Sequence, residues 1–232
     1  ADFQVSERLT SGSIQAWHTA LYGAYKKKHF YINGLLGMDW LNVRTERVAS
    51  IGATVLTAGV SDKLRDDSSG HAFNMHMEGG YRVNLSGVHF APFAALQLSS
   101  FHMKGSTERA EATDGSLALY YKNRTVRSIP LSLGAQFDTC IDLGHKSYFM
   151  PYLRGSWVYE FSRKRSIEAG FIAAPGYEFV VHGAEAPRDF AQLETGFNWQ
   201  MGARVSFYGK LAGNYSRSIY DVSASGGFQM QW

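Results

Sequence analysis

Residues 73–85 read FNMHMEGGYRVNL. In an extended chain Phe73, Met75, Met77, Gly79, Tyr81, Val83 and Leu85 fall on one face. Asn74, His76, Glu78, Gly80, Arg82 and Asn84 fall on the other. A helix would mix the two sets, because its faces repeat about every 3.6 residues and those of a strand every two. The segment therefore predicts a two-faced strand. The same alternation recurs downstream. Val88, Phe90, Ala94, Leu96 and Leu98 share a face in the next segment. Ala191, Leu193, Thr195, Phe197, Trp199 and Met201 oppose Phe190, Gln192, Glu194, Gly196, Asn198 and Gln200. Val205, Phe207, Gly209, Leu211 and Tyr215 oppose Arg204, Ser206, Tyr208, Lys210 and Asn214.

Read this way, the chain predicts about nine strands, near 17–25, 29–42, 72–85, 87–102, 126–139, 148–161, 190–201, 203–216 and 221–232. Residues 1–5 fit the end of a tenth. Ordinary globular strands have about five or six residues, and these run to ten or more. Ten residues rising about 3.3 Å each and tilted by about 40° span roughly 25 Å, the height of an outer-membrane apolar band. The connectors alternate in length. Short turns are expected at KKKH, SG, DLGHK and Gly202–Ala203, and long segments at about 43–71, 103–125 and 162–189. Short turns at one end and long loops at the other are the arrangement of a membrane barrel.

Composition narrows the classes. The 232 residues carry a formal net charge of +3 and only 19% charged residues, with 14% aromatics, 24 Gly and 5 Pro. No Lys/Arg stripe of the kind nucleic acid requires is present; YKKKHF reads as a solvated turn. Cys140 is the one cysteine, so neither a disulfide framework nor a zinc cluster is available. No run approaches the roughly 18–20 apolar residues of a membrane helix, and ADFQVSERLT has no signal-peptide pattern. A barrel needs neither, because only alternate residues of each strand meet lipid.

A soluble β-sandwich also alternates, with its apolar face inward. Strand length, loop asymmetry and the placing of aromatics near strand ends favour the opposite facing. Phe30, Trp40, Phe90, Tyr148, Trp157, Trp199, Phe207 and Tyr215 fit two interfacial girdles. The predicted fold is an all-β transmembrane antiparallel up-and-down β-barrel. Its final strand, DVSASGGFQMQW, alternates up to Trp232 and requires a paired neighbour on both edges, because lipid tolerates no open edge.

The ordered set of segments resembles the C-terminal translocator barrel of the autotransporters, the type V secreted proteins of Gram-negative bacteria. TALYGAY with FYINGLLGMDWL is similar to that family's "lYgsY … wyldg" hairpin, and HFAPFAALQLSSF to its "lePfagl" strand. RSIPLSLGAQF, PYLRGSWVYEF and FVVHGAEAPRDFAQLETGFNWQM resemble three further family strands, and LAGNYSRSIYDVSASGGFQMQW its C-terminal end. Trp232 stands where the family usually has Phe. The resemblance implies a twelve-stranded cylinder of which nine to ten strands lie in residues 1–232. ADFQV aligns with the end of the family's third strand, so the chain reads as an N-terminally truncated fragment without passenger or linker helix.

The implied function is an outer-membrane anchor and pore that supports export of its own N-terminal passenger to the cell surface. The implied partners are outer-membrane lipid, the barrel-assembly machinery, and the passenger and linker, with no nucleic acid and a monomeric barrel. Phe228, Met230 and Trp232 are the expected assembly signal. Glu78, Arg82, Arg154, Glu160, Glu194, Arg204 and Lys210 are expected to line the lumen, where mixed charges balance while staying wet. No catalytic, metal or cofactor residue is expected. The competing readings are a barrel hydrolase and a diffusion porin. His76 with Glu78, and His18, His89 and His102, suggest the first, but no G-x-S-x-G or H-E-x-x-H motif accompanies them.

Overall fold

The computed structural model describes residues 2–5, 10–52, 60–111, 114–218 and 220–230. Among these there is no helix. The strands are β1 (Asp2–Val5), β2 (Thr10–Lys27), β3 (Phe30–Ile51), β4 (Val60–Tyr81), β5 (Val83–Leu85) and β6 (Val88–Met103). Short β7 (Ser106–Thr107), β8 (Arg109–Ala110) and β9 (Leu119–Tyr121) follow, then β10 (Arg124–Ser128), β11 (Pro130–Thr139) and β12 (Ile141–Gly144). The rest are β13 (Ser147–Glu160), β14 (Ser166–Phe171), β15 (Glu178–His182), β16 (Asp189–Met201), β17 (Val205–Tyr215) and β18 (Tyr220–Met230).

One antiparallel sheet runs β1-β2-β3-β4-β6-β11-β13-β16-β17-β18, with β5, β8, β10 and β12 attached. Spatial order follows chain order, as in an up-and-down barrel. The turns at one end are tight and enter positive φ at Lys28, Ser86–Gly87, Gly144–Lys146 and Gly202. Consecutive positive φ at Ser86 and Gly87 is the turn whose twist matches two strands joined by a two-residue loop.

Strand tilt can be read from a single hydrogen-bonded row. Tyr31 pairs with Gly80, Gly80 with Phe93, Phe93 with Gly134 and Gly134 with Ser156. Ser156 then pairs with Gln192, Gln192 with Asn214, and Asn214 with Asp221. The row starts beside the Lys28–His29 turn and finishes at the opposite end of the sheet. With about 4.8 Å between strands and a tilt of about 40°, those steps climb roughly 22 Å.

That height matches the apolar column on the convex face. Along β3 this face carries Phe30, Ile32, Leu36, Met38 and Trp40, and along β4 Tyr81, Met77, Met75 and Phe73. Phe30 to Trp40 rises about 25 Å at the same tilt. Beyond Trp40 the same face turns charged: Arg44 pairs with Asp67, and Lys63 and Arg65 face Glu46. Exposed Trp17 stands opposite Trp40 at this upper boundary.

The long loop expected over 43–71 is overturned. Most of it is strand, because β3 continues to Ile51 and β4 begins at Val60. Segments 103–125 and 162–189 also fold, giving a second sheet in the order β15-β14-β9-β7. Residues 2–5 form the expected further strand, paired to β2. Trp232 lies outside the described residues.

Candidate functional site

The concave face collects the charged residues of alternate positions. Glu78 on β4 accepts from Arg154 on β13, Oε2 to Nη2 at 2.5 Å. Two strands, β6 and β11, lie between them, so the backbones are separated by about 14 Å on a flat sheet. Side chains standing normal to a flat sheet cannot bridge that span. The pair therefore fixes both the curl of the half-barrel and the face that looks inward. Arg154 also lies over the Phe93 ring, 3.6 Å from its centroid.

A motif then repeats. Glu78 and Glu194 each precede a glycine by two positions, Gly80 and Gly196. Tyr31 stands opposite Gly80, and Tyr152 opposite Gly196. A Cβ at either glycine would meet the tyrosine ring at 2.5 Å or 2.8 Å respectively. Only glycine lets each ring lie across the neighbouring strand. The hydroxyls then donate to the glutamates, Tyr31 to Glu78 at 3.0 Å and Tyr152 to Glu194 at 2.9 Å. Lys210 completes the second cluster at 2.9 Å from Glu194.

Arg82 donates to Asp138 at 2.6 Å, and His89 lies 3.3 Å from the same carboxylate. Glu160 is buried and accepts from the Ser128 hydroxyl and from the backbone N–H groups of Ile129 and Ser162. Arg204 stands exposed in the turn before β17, apart from the ion-paired wall. Of the expected terminal signal, Phe228 lies on the convex face opposite Phe207, with ring centroids 6.5 Å apart, and Met230 is exposed beside it.

Toward the loop end, β8 pairs beside β4, and residues 117–118 pack onto the concave face. Leu64 is 1% exposed and packs with Leu117 and Ala118, with Ala49 and Ala110 around them. Arg47 grips Glu108 through two hydrogen bonds of 2.6 Å, and Asp62 accepts from the Leu117 N–H at 2.8 Å. The Tyr121 hydroxyl donates to Glu108; burial, reinforced by that carboxylate, pushes its pKa up to about 12. In the second sheet Lys122 holds Glu168 at 2.6 Å and Glu178 at 2.9 Å. The bond to Lys122 keeps Glu178 below its ordinary value, and those two carboxylates raise Lys122 above its own.

Sequence reasoning missed Tyr31, Tyr152, Gln136 and Asp138, along with the Arg47–Glu108 clamp. The repeated E-x-G in MEGGY and LETGF was the available signal for the two tyrosines. Of the histidines that suggest a hydrolase, His18 lies 2.8 Å from Asp39. No hydroxyl bonds its other ring nitrogen among the described residues. Nor does any group of three or more His, Cys, Asp or Glu gather there to hold a metal ion.

The family model described as the autotransporter beta-domain matches residues 1–212. The chain belongs to the autotransporter β-domain family. No curated protein matches it. Its fold is similar to the crystal structure of the beta domain of the Bordetella autotransporter BrkA, at TM-score 0.54 and 18% identity. The match covers 95% of this chain and 75% of that one. In this member of the family the antiparallel sheet is curled, with its ion-paired face on the inside.

Proposed function

We infer that this autotransporter β-domain anchors in the bacterial outer membrane and provides the polar conduit through which its own N-terminal passenger reaches the cell surface. One observation carries the reading. The sheet presents an apolar column about 25 Å tall on its convex side and ion-paired polar clusters on its concave side. Such a wall is stable only with hydrocarbon outside and water inside. A chain in transit would meet carboxylates and cations already neutralised by one another, and hence no strong trap for either sign. Lipid contacts the convex face, the barrel acts as a monomer, and Phe228, Met230 and Trp232 serve as the mark that the assembly machinery reads. The role is one of passage and anchorage and needs no catalytic group.

The test is surface display. The protein is expressed from its complete coding region with an epitope in the N-terminal passenger, and intact cells are probed with antibody and external protease. The epitope is expected outside while the barrel fractionates with the outer membrane. An epitope that stays inside cells whose barrel has inserted would overturn the conduit.

A further inference from the structure

One row of the ladder crosses the convex face just above the apolar column. It runs Trp17–Trp40–His71–His102–Thr125, over β2, β3, β4, β6 and β10. Each strand step climbs about 3 Å when strands 4.8 Å apart are tilted by about 40°. His71 and His102 therefore stand roughly 3 and 6 Å higher than Trp40, past the hydrocarbon and in reach of water. The two indoles are the side chains expected at that boundary. A facing pair of imidazoles adds little to such a girdle and has a chemistry of its own.

The His71 and His102 ring centroids lie 5.1 Å apart, with their planes tilted by 38°. Two imidazoles held by one tetrahedral ion, at about 2.1 Å per nitrogen, have centroids about 5.2 Å apart. The spacing is already that of a chelate, and only the soft χ2 torsions remain to aim the nitrogens. Ligating atoms are free as well. The Thr125 hydroxyl lies 3.0 Å from His102 Nδ1. With Nδ1 as the donor, Nε2 carries the lone pair a metal needs, and the ring is oriented as at histidine metal sites generally. Among the described residues no hydrogen bond uses either ring nitrogen of His71, or Nε2 of His102. The ladder fixes both backbones, since Gly70 pairs with Met103 and Ala72 with Phe101 on either side. Little ordering is left to be done on binding.

We propose that His71 and His102 form a two-imidazole site for one divalent transition-metal ion on the convex surface of the barrel, with water in the ion's remaining positions. Imidazole selects zinc, copper(II) and nickel over the hard ions magnesium and calcium. No third histidine, cysteine or carboxylate among the described residues joins the pair. The ion therefore keeps open positions and exchanges with the medium. The site stands on the ladder geometry and does not depend on export.

The test uses the protein extracted from membranes in mild detergent, purified without a histidine tag and titrated with zinc chloride by calorimetry. One zinc per chain is expected, and no binding of magnesium or calcium. His71→Gln and His102→Gln should each abolish saturable zinc binding while the barrel stays heat-modifiable, because the two rings make one site. Thr125→Val keeps the branched shape and removes the orienting hydroxyl; zinc affinity should fall roughly tenfold. His18→Gln is the control. His18 stands beside Asp39, away from this row, and its variant should bind zinc like the parent. Copper(II) gives a readout that does not rely on any variant folding: the paramagnetic resonance spectrum of the loaded parent should show coupling to two imidazole nitrogens. No saturable zinc binding by the parent, loss in only one of the two variants, or loss in His18→Gln overturns the site. So does a copper spectrum with other than two coupled nitrogens, or one zinc shared between two chains.

Discussion

Neutralising Glu78 would leave Arg154 with the Phe93 ring and a weak contact to Gln136 in place of its carboxylate. Both partners are largely shielded, at 9% and 23% side-chain exposure, so the loss is greater than for a surface pair. Glu78→Gln is expected to destabilise the barrel by about 2–4 kcal/mol, measured by urea unfolding in detergent. Adding Arg154→Gln should cost much less than a second independent loss, with a coupling of about 1–2 kcal/mol. Strict additivity would mean the two side chains do not support each other. The inward direction of both residues was legible, because alternation alone assigns each a face. Their meeting was not legible, because it depends on how far the sheet curls between β4 and β13.

Residues 104–111 and 114–123 are held to the upper wall by a small apolar cluster and by the Arg47 fork on Glu108. Arg47→Lys keeps the charge and loses the two-point grip. Amides of β9 should then exchange roughly tenfold faster while those of β11 and β13 keep their protection, read by hydrogen exchange. Uniform acceleration would show that the segment is not a separate unit. The neighbouring sheet of β14 and β15 depends on pH through Lys122 and Glu178. Glu178 is depressed from about 4.5, so its contribution is present above that value and fades as pH falls through the lower folded value. Lys122 is raised from about 10.5, so its contribution is present below that value and fades as pH rises through the higher folded one. Protease resistance of the β14–β15 hairpin should be flat from about pH 5 to 10 and fall at both ends, modestly, since the pair is exposed. A slope centred near pH 7 would implicate other groups. These elements were the least readable in the sequence. Above Trp40 the outward column is Arg44 and Glu46, and before His71 it is Lys63, Arg65 and Asp67. A strand that has left hydrocarbon needs no apolar face, so period two is present there without the contrast that reveals it.

At the scale of the whole molecule, the tilt converts a position in the ladder into a depth in the membrane, and that conversion makes facing testable. Leu211 points outward at about 11 Å above the lower edge, close to the middle of the column, and Lys210 beside it points inward to Glu194. Leu211→Lys places an ammonium in hydrocarbon near its midplane, a cost of about 2–4 kcal/mol. Lys210→Gln keeps an amide within reach of a wet carboxylate that also accepts from Tyr152. The outward change should cut the fraction of folded, heat-modifiable barrel recovered from membranes several-fold, and the inward change should leave it near the parent level. The two substitutions sit one residue apart on one strand, so differences in propensity or assembly order cannot produce the contrast. Only the environment on the two sides of β17 can, and equal recovery of both variants would mean that the convex face does not meet lipid at that depth.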